Sequence, residues 1–201
     1  MGTESRKRIF LTGVGGQGTL TATKLLAQLL LDKGLHVTSG EIHGMAQRGG
    51  VVESTILYGG WQSPKISHGE ADILLGFECL ETFRGLPYLA KQGYILSSSE
   101  AIPPIAVSRG LAAYPDLDEV RKAAERCSGT ARFLPLRSIG RKAGAEQSGN
   151  MALLGALCAS GMIPASVDDL NAALKSYLKP SIVDVNLKAV SLGVEALGNV
   201  Q

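Results

Sequence analysis

Apolar positions along this chain of 201 residues alternate between strand-like and helical spacing. Residues 7–12 form a short apolar run ending at glycine, and residues 19–33 then carry Leu20, Thr23, Leu26, Ala27 and Leu30 at helical spacing, stopped by Gly34. Residues 36–39 predict a second strand, and 51–58 alternate as a half-buried strand up to the Gly59-Gly60 turn. The opening therefore reads β, α, β, loop, β. Residues 71–77 hold the continuous apolar core expected of a central strand. Residues 80–91 read as a helix that Pro87 should break or kink, and 94–97 read as another strand.

Residues 102–115 give a weak strand signal among prolines, 117–127 a charged helix, and Phe133 and Leu134 a further strand. Beyond that the chain turns helical at 150–160, 167–178 and 182–197, with Gly161, Pro164 and Pro180 between these segments. Strands alternating with helices predict a three-layer α/β fold: a mainly parallel sheet with helices on both faces and a helical C-terminal third. Residues 1–201 show no linker or internal repeat and are expected to form a single domain.

Composition narrows the functional classes. With 45% apolar and 19% charged residues the chain is foldable and not disordered. Its 20 Lys and Arg against 18 Asp and Glu are scattered apart from Arg6-Lys7-Arg8, so there is no basic stripe for nucleic acid. The apolar stretch 25–31 is interrupted by Gln28 and stops at Asp32, too short to span a bilayer, and no signal peptide is visible. A cytoplasmic protein is the expectation. Cys79, Cys127 and Cys158 form no CxxC pair and read as reduced, buried thiols; no metal site and no iron-sulfur site is expected on this chain.

Candidate chemistry concentrates in two loops. Gly13-Val14-Gly15-Gly16-Gln17-Gly18 follows a predicted strand and opens a predicted helix, the setting in which GxGxxG lets a ligand or another backbone approach a helix N-terminus. Glu41 falls near where a dinucleotide site places its ribose-binding acid. Against NAD or FAD stand the polar Gln17 and the absence of a second crossover helix after Glu41. Helix-to-strand packing, a bound dinucleotide, and docking against a partner or its ligand all stay open for this loop. The second loop, Glu41-Ile42-His43-Gly44-Met45-Ala46-Gln47-Arg48-Gly49-Gly50, is too irregular for helix and too apolar for an ordinary solvent loop. Arg48 can hold a carboxylate or phosphate in bidentate geometry or pair locally with Glu41 or Glu53. His43 suits proton transfer or a structural hydrogen bond, and Met45 an apolar contact or core packing. Asn150 and Asn186 are expected to cap helical segments.

Together these loops resemble the gamma-type module of the 2-oxoacid:ferredoxin oxidoreductases. The His43-Gly44-Met45 before Gln47-Arg48-Gly49-Gly50 points to the indolepyruvate branch and its beta subunit. The resemblance extends through Ser63-Pro64-Lys65-Ile66, Ala71-Asp72-Ile73-Leu74, Asn150-Met151 with Leu154-Gly155, and Asn186, Ala189 and Gly193; residues 101–141 are the least diagnostic. It implies a non-catalytic subunit of a thiamine-dependent enzyme. There a large alpha subunit carries thiamine diphosphate, Mg and [4Fe-4S] clusters, and indolepyruvate, CoA and oxidised ferredoxin become indoleacetyl-CoA, carbon dioxide and reduced ferredoxin. The isolated chain is then expected to be inactive, with its self-association open. Gly13, Gly15, Gly16, Gln17, Gly18, Glu41, His43, Gly44, Met45, Arg48, Gly49 and Gly50 become the candidate contacts to partner or ligand. A free-standing dinucleotide-binding enzyme and a purely structural assembly subunit are the alternatives.

Overall fold

The computed structural model describes residues 6–43, 50–102 and 114–199. Six strands form one sheet: β1 (Lys7–Val14), β2 (Val37–His43), β3 (Val51–Tyr58), β4 (Ala71–Gly76), β5 (Leu89–Ser98) and β6 (Thr130–Leu134), in the order β2-β3-β1-β4-β5-β6. β1, β4, β5 and β6 pair in parallel, whereas β3 runs antiparallel to both neighbours, from Lys7 opposite Tyr58 to Val14 opposite Val51. The sheet is thus mainly parallel, as its continuous apolar strands predict. In β1, Ile9 and Leu11 enter one core while Phe10, between them, enters the other.

Helices cover both faces. On the first lie α1 (Thr19–Asp32) and the C-terminal set α4 (Leu136–Ala143), α5 (Gly149–Ala159), α6 (Val167–Tyr177) and α7 (Pro180–Gly198). On the second lie α2 (Cys79–Gly85) and α3 (Leu117–Cys127), packed through Cys79, Val120, Ala123 and Ala124 on Phe10, Leu74 and Ile95. Residues 149–158 of α5 are buried all round, which makes it the central helix of the C-terminal third. α5 and α7 approach closely because each offers a glycine. A Cβ on Gly193 would lie 2.1 Å from the Ala152 carbonyl oxygen, and one on Gly155 would lie 2.8 Å from that of Val190.

Several expectations change. The helix expected over 80–91 stops at Gly85, a 3-10 turn (Leu86–Tyr88) follows, and residues 89–91 already belong to β5. Pro87 cannot donate to an α-helical ladder, and Leu89 packs into the second core as strand. α4, absent from the expectations, carries Leu136, Ile139, Gly140 and Ala143 at helical spacing, but over only 8 residues, too few for the pattern to stand out. The weak strand signal of 102–115 falls on residues 103–113, outside those described. Cys79 and Cys158 are buried as expected and burial pushes their thiols up, to about 11 and about 12, but Cys127 at the end of α3 is exposed. Among the described residues no helix is long and apolar enough to cross a membrane.

Candidate functional site

The C-terminal ends of β1, β2, β4, β5 and β6 share one edge of the sheet, and both candidate loops leave from that edge. They also touch: the Gly15 N–H donates to the Gly50 carbonyl at 2.8 Å. Connections from β1 run toward β2 on one side, and those from β4 run toward β5 and β6 on the other. The β1/β4 junction is therefore the topological switch point, where open α/β sheets leave a crevice beyond the strand ends.

A cavity of about 260 Å³ occupies that crevice, lined by Val14, Gly15, Gly16, Gln17 and Phe77 on one side and by Ile102, Leu136, Arg137, Glu146 and Asn150 on the other. Gln17 braces its floor. Its Oε1 accepts the Val14 N–H at 2.7 Å while its Nε2 donates to the Phe77 carbonyl at 2.9 Å, joining the ends of β1 and β4. The amide expected to meet a partner or an anion thus bonds within the chain. Gly13 is packed so tightly that a Cβ would lie 2.8 Å from Thr19 Oγ1 and 2.9 Å from the Phe77 Cβ. Packing accounts for that glycine, whereas Gly16 is open, with nothing near a Cβ and a positive φ of 99°.

Asn150 does not cap a helix. Its Nδ2 donates to the Gly18 carbonyl at 3.1 Å, latching the glycine loop to the start of α5, whose N-cap is Ser148. Gly18 has φ 78°, and a Cβ there would sit 2.4 Å from that same Nδ2. Asn186 also departs from the capping expectation: it lies inside α7 and donates to the Ile182 carbonyl four residues back, at 2.7 Å. No side-chain hydrogen bond caps α1 or α5; α5 follows directly on a 3-10 turn (Glu146–Ser148), and the Gly149 N–H at its start donates to the Gln147 and Glu146 carbonyls. α4 differs, because the Glu100 carboxylate accepts the N–H groups of Arg137 and Ser138 at 2.6 and 3.1 Å.

Arg137 adds a permanent cation, the one among the described lining residues. Its Nε bonds Glu146 at 2.7 Å, Arg141 reaches the same carboxylate at 2.8 Å, and these hydrogen bonds hold the Glu146 carboxyl below its ordinary range. Sequence reading missed Arg137 and Glu100, since neither falls in a motif. Behind the cavity, buried Glu78 accepts the N–H groups of Glu81 and Ile102, each at 3.0 Å, and the hydroxyl of Tyr114. Burial and this carboxylate raise the Tyr114 phenol above its usual value.

Glu41 stands on the edge strand, level with Ser54 and through it with Leu11. β3 lies between it and β1, so about 9–10 Å separates the two strands, against the single spacing of a dinucleotide fold. That insertion removes the ribose-binding geometry. His43 ends β2 and Gly50 precedes β3, while Gly44, Met45, Arg48 and Gly49 lie outside the described residues.

Residues 8–196 match the family described as Pyruvate ferredoxin/flavodoxin oxidoreductase. The chain is 38% identical over 191 residues to indolepyruvate oxidoreductase subunit IorB of Thermococcus kodakarensis, covering 94% of each. It is 36% identical over 188 residues to the IorB subunit of Methanothermobacter thermautotrophicus, covering 94% of this chain and 96% of that one. The fold matches the gamma subunit of a keto/oxoacid ferredoxin oxidoreductase from Geobacter sulfurreducens, with TM-score 0.69 and 21% identity, over 96% of this chain and 99% of that one. It also matches subunit PORC of pyruvate oxidoreductase from Thermotoga maritima, with TM-score 0.70 and 19% identity, over 95% and 96%. The chain belongs to the pyruvate ferredoxin/flavodoxin oxidoreductase family, as a gamma-type module similar to the indolepyruvate oxidoreductase subunits IorB.

Proposed function

We propose that this chain is the non-catalytic subunit of a thiamine-dependent indolepyruvate:ferredoxin oxidoreductase, and that its glycine-loop edge leans on the subunit that carries the reactive centres. The observation that carries this reading is the likeness to IorB subunits at 36–38% identity across 94% of the chain. The reaction needs a thiamine carbanion and single-electron acceptors. Among the described residues no group of three or more His, Cys, Asp or Glu is placed to hold a metal ion, and the three cysteines stand apart. Thiamine diphosphate, Mg and [4Fe-4S] clusters belong in this reading to a large alpha subunit, with CoA as co-substrate and ferredoxin as electron acceptor.

What this chain contributes is shape and charge. The backbone at the open Gly16 and the Arg137 guanidinium offer donors to an anionic group or to carbonyls of the partner. Gln17 and Asn150 hold that edge rigid before contact, which lowers the ordering cost of association. Co-expression with the large subunit, followed by a ferredoxin-reduction assay with indolepyruvate and CoA, tests the proposal. Turnover requiring both chains supports it; full turnover by the large subunit alone refutes it.

A further inference from the structure

A second cavity lies on the opposite face of the sheet from α1, away from the glycine loop. Helices of that face pack on β1, β4, β5 and β6, whereas β2 and β3 are crossed by residues 61–68. Pro64 presses on Gly40 so closely that a Cβ there would lie 2.9 Å from the proline Cβ, and Thr55 Oγ1 donates to the Pro64 carbonyl at 2.7 Å. Between this segment and the sheet is a space of about 560 Å³, within the range of small-molecule pockets.

Its wall is aromatic. The rings of Phe10 and Tyr88 stack at 4.3 Å with 14° between their planes, and His68 meets Tyr88 edge-on at 4.8 Å. Its other end is acidic. Glu53 is half-buried, and burial raises its carboxyl above the ordinary range, with no cation among the described residues offsetting the effect. Glu81, only 2% exposed, lies near enough for Glu53 to raise its carboxyl further; its Oε1 pairs with Arg84, but its Oε2 is buried without a hydrogen-bond partner. Lys65 stands exposed among the lining residues.

We infer that this cavity binds an aromatic amine, with its ring along the Phe10/Tyr88 wall and its ammonium group on the Glu53 carboxylate. An ammonium supplies the cation that no described residue gives Glu53, and ring faces attract cations while apolar walls take up the rest of the molecule. A carboxylate placed at that end of the cavity would meet the like charges of Glu53 and Glu81. The site stands whether or not the chain serves the proposed oxidoreductase.

Titration of the full-length chain with 2-phenylethylamine, 2-phenylethanol and phenylacetate tests this, read by calorimetry and by the emission of the single tryptophan, Trp61, at the start of the crossing segment. The amine is expected to bind at least about tenfold more tightly than phenylacetate. Glu53→Gln should remove about tenfold of the amine's affinity and leave 2-phenylethanol unchanged. Lys65→Glu, on an exposed side chain, should strengthen the amine and weaken phenylacetate, and it serves if the Glu53 variant does not fold. No amine binding, equal affinity for amine and phenylacetate, or indifference of the amine to both substitutions overturns the inference.

Discussion

Replacing Gln17 by Ala isolates the brace beneath the crevice. The substitution removes the acceptor of the Val14 N–H and the donor to the Phe77 carbonyl, bonds of 2.7 and 2.9 Å between two strand ends. Each such bond contributes about 0.5–1.5 kcal/mol net, and an orphaned buried N–H costs about 1–3 kcal/mol. Val14, Gln17 and Phe77 all line the cavity, so water can reach the vacated groups and hold the loss toward the lower end. The expected destabilisation is about 2–3 kcal/mol, which at this chain length lowers Tm by about 4–12 °C. Thermal and urea unfolding measure the total, and amide exchange at Val14 localises it. A Tm within about 1 °C of the parent, with Val14 exchange unchanged, would refute the assignment of Gln17 as the tie between β1 and β4.

Gly18→Ala should lose about 2–3 kcal/mol in urea unfolding, because a side chain at φ 78° is strained and its Cβ would displace the Asn150 amide. Gly193→Ala forces α7 away from the Ala152 carbonyl and should cost about 1–3 kcal/mol or more; a neutral result would show that the two helices do not pack this closely. Asp169, in the Ser166 capping box and paired with Lys33, has its carboxyl lowered from 3.8 to about 2 by hydrogen bonds from Ser166 and Lys33. A depressed folded value stabilises above the unfolded one, so this contribution should fade as pH falls from about 4 to about 2. Asp169→Asn should flatten that limb of a stability-versus-pH curve. Native-state maleimide labelling should modify Cys127 alone, since Cys79 and Cys158 are buried and their thiols are raised; rapid labelling of either would contradict the packing around it.

Periodicity made most of the fold legible. The α3 bounds at Leu117 and Cys127 and the β3 bounds at Val51 and Tyr58 follow directly from pattern and punctuation. The segment around Pro87 was misread because Leu86, Leu89 and Ala90 fit a helical stripe equally well, and only tertiary pairing with β4 makes strand of the last two. In the site, the glycine loop announced itself, and the missing second crossover already argued against a dinucleotide. Which residues hold that loop was not legible. Asn150 is 132 positions from Gly18, and a contact at that separation leaves no local signal. The capping reading of the asparagines fails for different reasons: the Asn150 amide serves a distant loop carbonyl, whereas Asn186 sits inside α7 and bonds the carbonyl of Ile182 one turn back.

Hydrogen exchange on this chain, alone and assembled with the large subunit, tests most directly whether the glycine-loop edge is the docking edge. The account predicts slowed exchange at Gly15, Gly16 and Gly18 and at Gly50, with little change at Gln92, Gly93 and Gly129 at the opposite end of the sheet. Protection confined to that opposite end, with the glycine loop exchanging as in the free chain, would contradict it.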